Sequence, residues 1–143
     1  MTFLKKIFIS ITLFLFFLNV NSYSEIINKI EVLGNERIST ETIAIFGDVS
    51  LGKDYDASDV NLLIKKLYET TFFSNISVEL ENNKLTIIVE ENPIVNSIVF
   101  KGEKADKYKE VIREFLILRE KTSFVESYIK SDINKIKEFY RQL

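Results

Sequence analysis

Apolar positions along this chain follow three kinds of pattern, and each predicts a different element. The first is a continuous run. Ile7 to Leu18 is apolar except for Ser10 and Thr12, with Lys5-Lys6 before it and Asn19-Val20-Asn21-Ser22-Tyr23-Ser24 after it. A basic start, a short apolar core and small residues at Ser22 and Ser24 have the layout of a secretory signal peptide over residues 1–24, cleaved between Ser24 and Glu25. A helix that spans a bilayer needs about 20 apolar residues, and this run is shorter.

The second pattern is alternation, the mark of a strand with one buried face. Ile26 to Leu33 reads as a strand, with Ile30 and Val32 opposite Lys29 and Glu31, and Gly34-Asn35 ends it. Asn75 to Glu81 alternates Ile76, Val78 and Leu80 against Ser77, Glu79 and Glu81. Asn82-Asn83 then reads as a two-residue hairpin turn, because asparagine tolerates the positive φ such turns require. Lys84 to Glu90 carries Leu85, Ile87 and Val89 on one face with Ile88 opposite, which predicts a more buried, central strand. Asn92-Pro93 closes the segment, since proline donates nothing to a ladder.

The third pattern is helical spacing. Ser39 to Phe46 is a short helix capped by Ser39 or Thr40, with Ile43 and Phe46 on one edge. Asp56 to Thr70 is the clearest helix: Val60, Leu63, Ile64 and Leu67 form a stripe, Asp56 caps it and Asp59 is a box-like partner. Phe72 and Phe73 follow. In a domain this small they read as core rather than as an aromatic pair for a ligand. The order is strand, helix, helix, strand, strand: an α+β unit with two helices over one sheet face.

The pattern then repeats. Asn28, Ile30 and Gly34 recur as Asn96, Ile98 and Gly102 at an offset of 68, and Ile64-Lys65-Lys66-Leu67-Tyr68 recurs as Ile136-Lys137-Glu138-Phe139-Tyr140 at an offset of 72. Two matches in order indicate a tandem repeat. In the second copy Ile94 to Lys101 corresponds to the first strand and Asp106 to Leu118 to the first helix. Ser123 and Glu126 would form the capping box of the second helix. The expected division is 25–92 for a complete unit and 93–143 for one that stops before its last two strands. That predicts a fragment of a longer parent, with an unpaired strand and an uncovered apolar face.

Composition narrows the chemistry. The chain of 143 residues has no cysteine and no histidine, so disulfides, thiolate chemistry and imidazole bases are excluded. Its net charge is −2, and without Lys5 and Lys6 the basic count falls from 19 to 17 against 21 acidic residues. No basic footprint for nucleic acid exists. Asp56 and Asp59 read as helix caps rather than an acid–base or metal pair. Glu90 and Glu91 alternate to opposite faces of a strand, which argues against a catalytic dyad. Gly47 and Gly52 lack the Lys-Ser/Thr ending of a phosphate loop. The expectation is a binding protein, not an enzyme, with no metal, cofactor or small-molecule substrate.

A signal peptide followed by tandem β-α-α-β-β units resembles the POTRA arrays of the outer-membrane protein assembly factors of Gram-negative bacteria. The matching stretches are Ile30 to Ile38, Leu67 to Ile76 and, across the junction between units, Val89 to Gly102; Lys135 to Leu143 is similar to the helix that precedes a Gly-Tyr-aromatic strand start. The chain departs from the family pattern at Thr71, where glycine is usual, at Asn92, where arginine is usual, and at Glu103, where asparagine is common. It also has no membrane barrel, which needs at least about eight strands. Related resemblances are to single-span inner-membrane division proteins of the FtsQ type and to TamA-type or two-partner secretion transporters. The resemblance implies a periplasmic scaffold at the outer membrane. It would take unfolded outer membrane proteins from periplasmic chaperones and dock partner lipoproteins. Clients would add as a strand to a sheet edge. The candidate edge is Ile76, Ser77, Val78, Glu79 and Leu80.

Overall fold

The computed structural model describes residues 24–143. The signal-peptide assignment therefore lies outside the described residues except for Ser24. Strands β1 (Glu25–Ile26) and β2 (Lys29–Leu33) are followed by helix α1 (Thr40–Gly47), strand β3 (Asp54–Tyr55) and helix α2 (Ala57–Glu69). Strands β4 (Phe73–Glu81) and β5 (Lys84–Glu91) come next, then helices α3 (Asp106–Phe115) and α4 (Glu126–Arg141). Strands β2, β5 and β4 form one sheet in that order, with β2 parallel and β4 antiparallel to β5. Strands β1 and β3 form a small antiparallel ribbon.

The central place of β5 explains its extra apolar residue. Ile87 pairs with Val32 on one side and Val78 on the other. Leu85, Ile87 and Val89 are buried against the helices, where Ile43 of α1 and Leu63 and Leu67 of α2 meet them in one core with Ile27, Tyr55, Phe73 and Ile76. Burying a side chain such as Leu67 contributes about 1.5–3 kcal/mol.

Local chemistry fixes each helix. The Ser39 hydroxyl accepts the Thr42 N–H at 3.2 Å to start α1. Gly47 ends it where a Cβ would lie 2.2 Å from Leu63 Cδ1, so glycine is what lets α1 and α2 pack closely. At the start of α2, Asp56 Oδ1 accepts from Ser58 and Asp59 N–H at 2.7 and 3.0 Å, and Asp59 Oδ2 accepts the Asp56 N–H at 3.2 Å. That is the expected box, with Asp in place of Glu. Asn82 and Asn83 have φ of 54° and 62°, as the two-residue turn requires.

Five expectations need correction, the last of them the strand expected beyond Ile94. The strand expected over Ile26 to Leu33 is two strands with different partners. Ile27 turns into the core with no exposed surface. Its N–H donates to Lys53 C=O at 3.1 Å and its C=O accepts the Gly52 N–H at 2.7 Å. Asn28 and Lys29 then bond the Asn83 carbonyl before β2 joins β5. The hairpin strand expected from Asn75 begins at Phe73, with a register shift between Phe73 and Asn75. The helix expected to reach Leu118 ends at Phe115, because Asp132, itself buried, accepts the Ile117 and Leu118 N–H groups at 2.8 and 3.0 Å. Ser123 does not cap α4. It forms a bridge with Ile94, and Pro93 C=O and Val95 N–H bond Phe124 and Thr122. That extended pairing carries the chain past Ser123, and α4 starts after Val125 without a side-chain cap.

Beyond Ile94 the stretch to Lys101 forms no strand among the described residues. Side chains hold it instead: Ile98 N–H donates to Glu120 Oε1 at 3.0 Å, and Ile98 C=O accepts from Arg113 Nη2 at 3.1 Å. Phe139 packs against Tyr108 and Phe115, with ring centroids 5.7 and 5.8 Å away, which ties α4 to α3. Among the described residues no helix is long and apolar enough to cross a membrane.

Candidate strand-addition edge

Strands β2 and β4 are the two outer strands of the sheet. The β2 edge is short, five residues, and charged: Lys84 Nζ lies 3.0 Å and Lys29 Nζ 3.9 Å from the Glu31 carboxylate. The β4 edge is nine residues and contains neither lysine nor proline, the residues that most often block edge pairing. The candidate residues Ile76 to Leu80 all lie on it.

The backbone direction at this edge follows from the hairpin. A two-residue turn closes on a hydrogen-bonded pair, here Glu81 with Lys84, and bonded pairs alternate with non-bonded ones. Ser77 and Glu79 thus turn their N–H and C=O groups toward Ile88 and Thr86. The groups of Ile76, Val78 and Leu80 point to the open side. The Ile76 N–H shows this directly: it donates to the Tyr68 hydroxyl of α2 at 3.1 Å. Side chains divide the same way. Ile76, Val78 and Leu80 pack toward the helices, and Ser77 and Glu79 are exposed on the other sheet face. Of the five candidate residues, Ile76, Val78 and Leu80 thus hold the outward backbone groups, and those of Ser77 and Glu79 are spent on β5.

A second constellation, at the end of β5, escaped the sequence reading. Glu91 Oε1 accepts the successive N–H groups of Glu36, Arg37 and Ile38 at 2.9, 3.0 and 3.0 Å. Arg37 Nε sits 3.0 Å from Glu91 Oε2, and its Nη2 donates to Asn92 C=O at 2.6 Å. Burial pushes the Glu91 carboxyl up, but the three N–H groups and the Arg37 charge outweigh it and hold the group below the usual carboxylate range. Asn92 Nδ2 in turn donates to Thr71 C=O at 2.9 Å. This carboxylate pins the loop before α1 to the end of β5. The only signal in the sequence is a glutamate two residues before the junction proline, and its partners lie more than 50 positions earlier.

The other candidates serve the local structure. Asp56 and Asp59 are occupied in the α2 cap. Phe73 is core, and Phe72 is half-buried against Phe46 at 5.6 Å between centroids. Ser24 is the first described residue, and Glu25 opens β1, its carboxylate accepting the Asn83 N–H at 2.9 Å. Among the described residues no cluster of three acidic, cysteine or histidine side chains is arranged to hold a metal.

A sheet of this order under two helices, entered by β-α-α-β-β, is the POTRA fold. The N-terminal domain of Omp85 from Thermosynechococcus elongatus superposes with a TM-score of 0.59 at 15% identity, over 85% of this chain and 53% of that one. The first two POTRA domains of the periplasmic part of Omp85 from Anabaena give 0.56 at 14% identity, over 85% and 81%. In sequence the chain is similar to the outer membrane protein assembly factor BamA. It is 27% identical to that of Neorickettsia risticii (strain Illinois) over 127 residues, and 32% identical to that of Neisseria meningitidis serogroup B (strain ATCC BAA-335 / MC58) over 78 residues. The matches span 89% and 54% of this chain but only 17% and 10% of those relatives. No protein-family model matches the chain.

Proposed function

We propose that this chain is the periplasmic POTRA region of an outer-membrane β-barrel assembly factor, working as a scaffold rather than a catalyst. Similarity to BamA over 89% of the chain carries the reading. In it, residues 1–24 direct export and are removed before Glu25, residues 25–92 form one POTRA unit, and residues 93–143 belong to a second. Unfolded outer membrane proteins delivered by periplasmic chaperones add as a strand to β4, and assembly lipoproteins dock on the same array at the periplasmic face of the outer membrane. Pairing through backbone groups suits many clients, because every client has the same backbone. The length of β4 and the charges of Lys29 and Glu31 on β2 favour β4 as the receiving edge.

The test is a photo-crosslinking residue at Glu79 or at Glu31, exposed to an unfolded outer membrane protein. Adducts from position 79 and few from position 31 are expected. Adducts from 31 alone would overturn the edge assignment. Absence of adducts from both, together with normal barrel assembly in cells lacking the parent gene, would overturn the function.

A further inference from the structure

We infer that the Tyr68 hydroxyl terminates the β4 edge and thereby sets the length and register of any strand added there. The inference rests on the proposed reading of β4 as the receiving edge. The three outward residues Ile76, Val78 and Leu80 present three N–H donors and three C=O acceptors. One of the six is taken from within the protein, because the Ile76 N–H donates to Tyr68 Oη at 3.1 Å.

The geometry holding Tyr68 there is firm. Its neighbour Leu67 has no exposed surface, so this turn of α2 is fixed over β4. Tyr68 itself is 42% exposed and stands at the margin of the sheet, where a phenylalanine would provide the same apolar cover. What the hydroxyl adds is a partner for one edge N–H, placed where the carbonyl of an arriving strand would sit. An added strand finds both groups of Val78 and of Leu80 but only the carbonyl of Ile76. Pairing therefore covers Leu80 and Val78 and stops at Ile76. Since side chains alternate with period two, a fixed end also fixes which client side chains face α2 and which face the Ser77–Glu79 side. Beyond Ile76 the added chain has room to leave the ladder, because a groove of about 600 Å³ opens there between Tyr68, Phe73, Ser74, Pro93 and Phe124. The short ladder also limits edge-to-edge pairing of two copies of the protein.

Amide hydrogen exchange on the full chain and its Tyr68→Phe variant tests this. The probe is a synthetic octapeptide of alternating valine and threonine with a lysine at each end, and an N-methylated version that cannot pair serves as control. In the wild type the Ile76 amide is expected to be protected without peptide and unchanged by it, while Val78 and Leu80 gain protection. In Tyr68→Phe the Ile76 amide should exchange freely alone and become protected with peptide, and the peptide should bind about two- to tenfold more tightly, the value of one net hydrogen bond. If Val78 and Leu80 gain protection in both proteins but Ile76 of the variant does not, the inference fails and the edge reading stands. If no β4 amide gains protection in either protein, the edge reading itself fails.

Discussion

Thr71 has a φ of 62°, in a region that costs a β-branched residue about 1–2 kcal/mol. The carbonyl there accepts from the Asn92 side chain, so the conformation is imposed by the junction and not chosen by threonine. Glycine at this position relieves the strain and loses part of the gain to the freer unfolded chain. Thr71→Gly is expected to raise stability by about 1 kcal/mol, read as a melting temperature about 4–8 °C higher; an unchanged or lower midpoint would count against the strain. Glu91 gives the opposite case. Its folded pKa lies below its unfolded one, so its contribution is complete above the unfolded value of about 4.3 and fades as pH falls through the lower, folded value. Denaturant melts from pH 7 to pH 2.5 should show Glu91→Gln less stable at neutral pH, with the gap to wild type closing below about pH 4. A constant gap would mean the carboxylate charge plays no part. Legibility differed at this scale for a plain reason. Caps such as Asp56 act on residues two or three away, whereas the partners of Glu91 are brought to it only by the sheet.

Elements were legible where they repeat. α2 displays three turns of one apolar stripe, and the β4–β5 hairpin shows alternation on both sides of a turn of two asparagines. The β1–β3 ribbon has two residues per strand, too few for any period to appear, and it takes the start of what looks like one strand. The stretch Ile94–Lys101 carries a strand pattern, but pattern states only which face is apolar, not whether a partner is there. Asn83 links the ribbon to the hairpin, since its Nδ2 donates to Ile26 C=O at 2.8 Å. Glycine suits both turn positions equally, yet the two substitutions should differ. Asn82→Gly is expected to be neutral or stabilising by up to about 1 kcal/mol, from relief of positive φ. Asn83→Gly should lose that gain and speed amide exchange in β1 and in Ile27. Equal exchange rates in the two variants would show that the side chain of Asn83 does not hold the ribbon.

Across the molecule, burial is uneven. The main core runs from Ile27 to Val89, while the segment that holds α3 and α4 buries Ile112 and Leu116 but leaves Ile117, Phe124, Ile133 and Tyr140 partly in water. A peptide of residues 25–92 is therefore expected to melt cooperatively by circular dichroism, and one of residues 93–143 is not. A sharp transition in the second peptide would mean that α3 and α4 need no sheet. Repetition is the sequence signal behind the expected division into 25–92 and 93–143. The partner change at Ile27 and the start of α4 were not, because both are decided by contacts between distant segments.

The parallel pairing of β2 with β5 has a mechanical consequence. The chain enters the three-stranded sheet at the first residue of β2 and leaves it at the last residue of β5, and the two strands lie side by side from Lys29–Lys84 to Leu33–Ile88. Tension between those two points pulls the strands lengthwise past each other, so all the rungs between them carry the load together. An antiparallel pair gripped at one end opens a rung at a time, like a zip. In a single-molecule pull from residue 25 to residue 92 the unit should yield in one abrupt event, at a higher force than when gripped at Phe73 and Glu91, the open end of the hairpin, where the load peels β4 from β5.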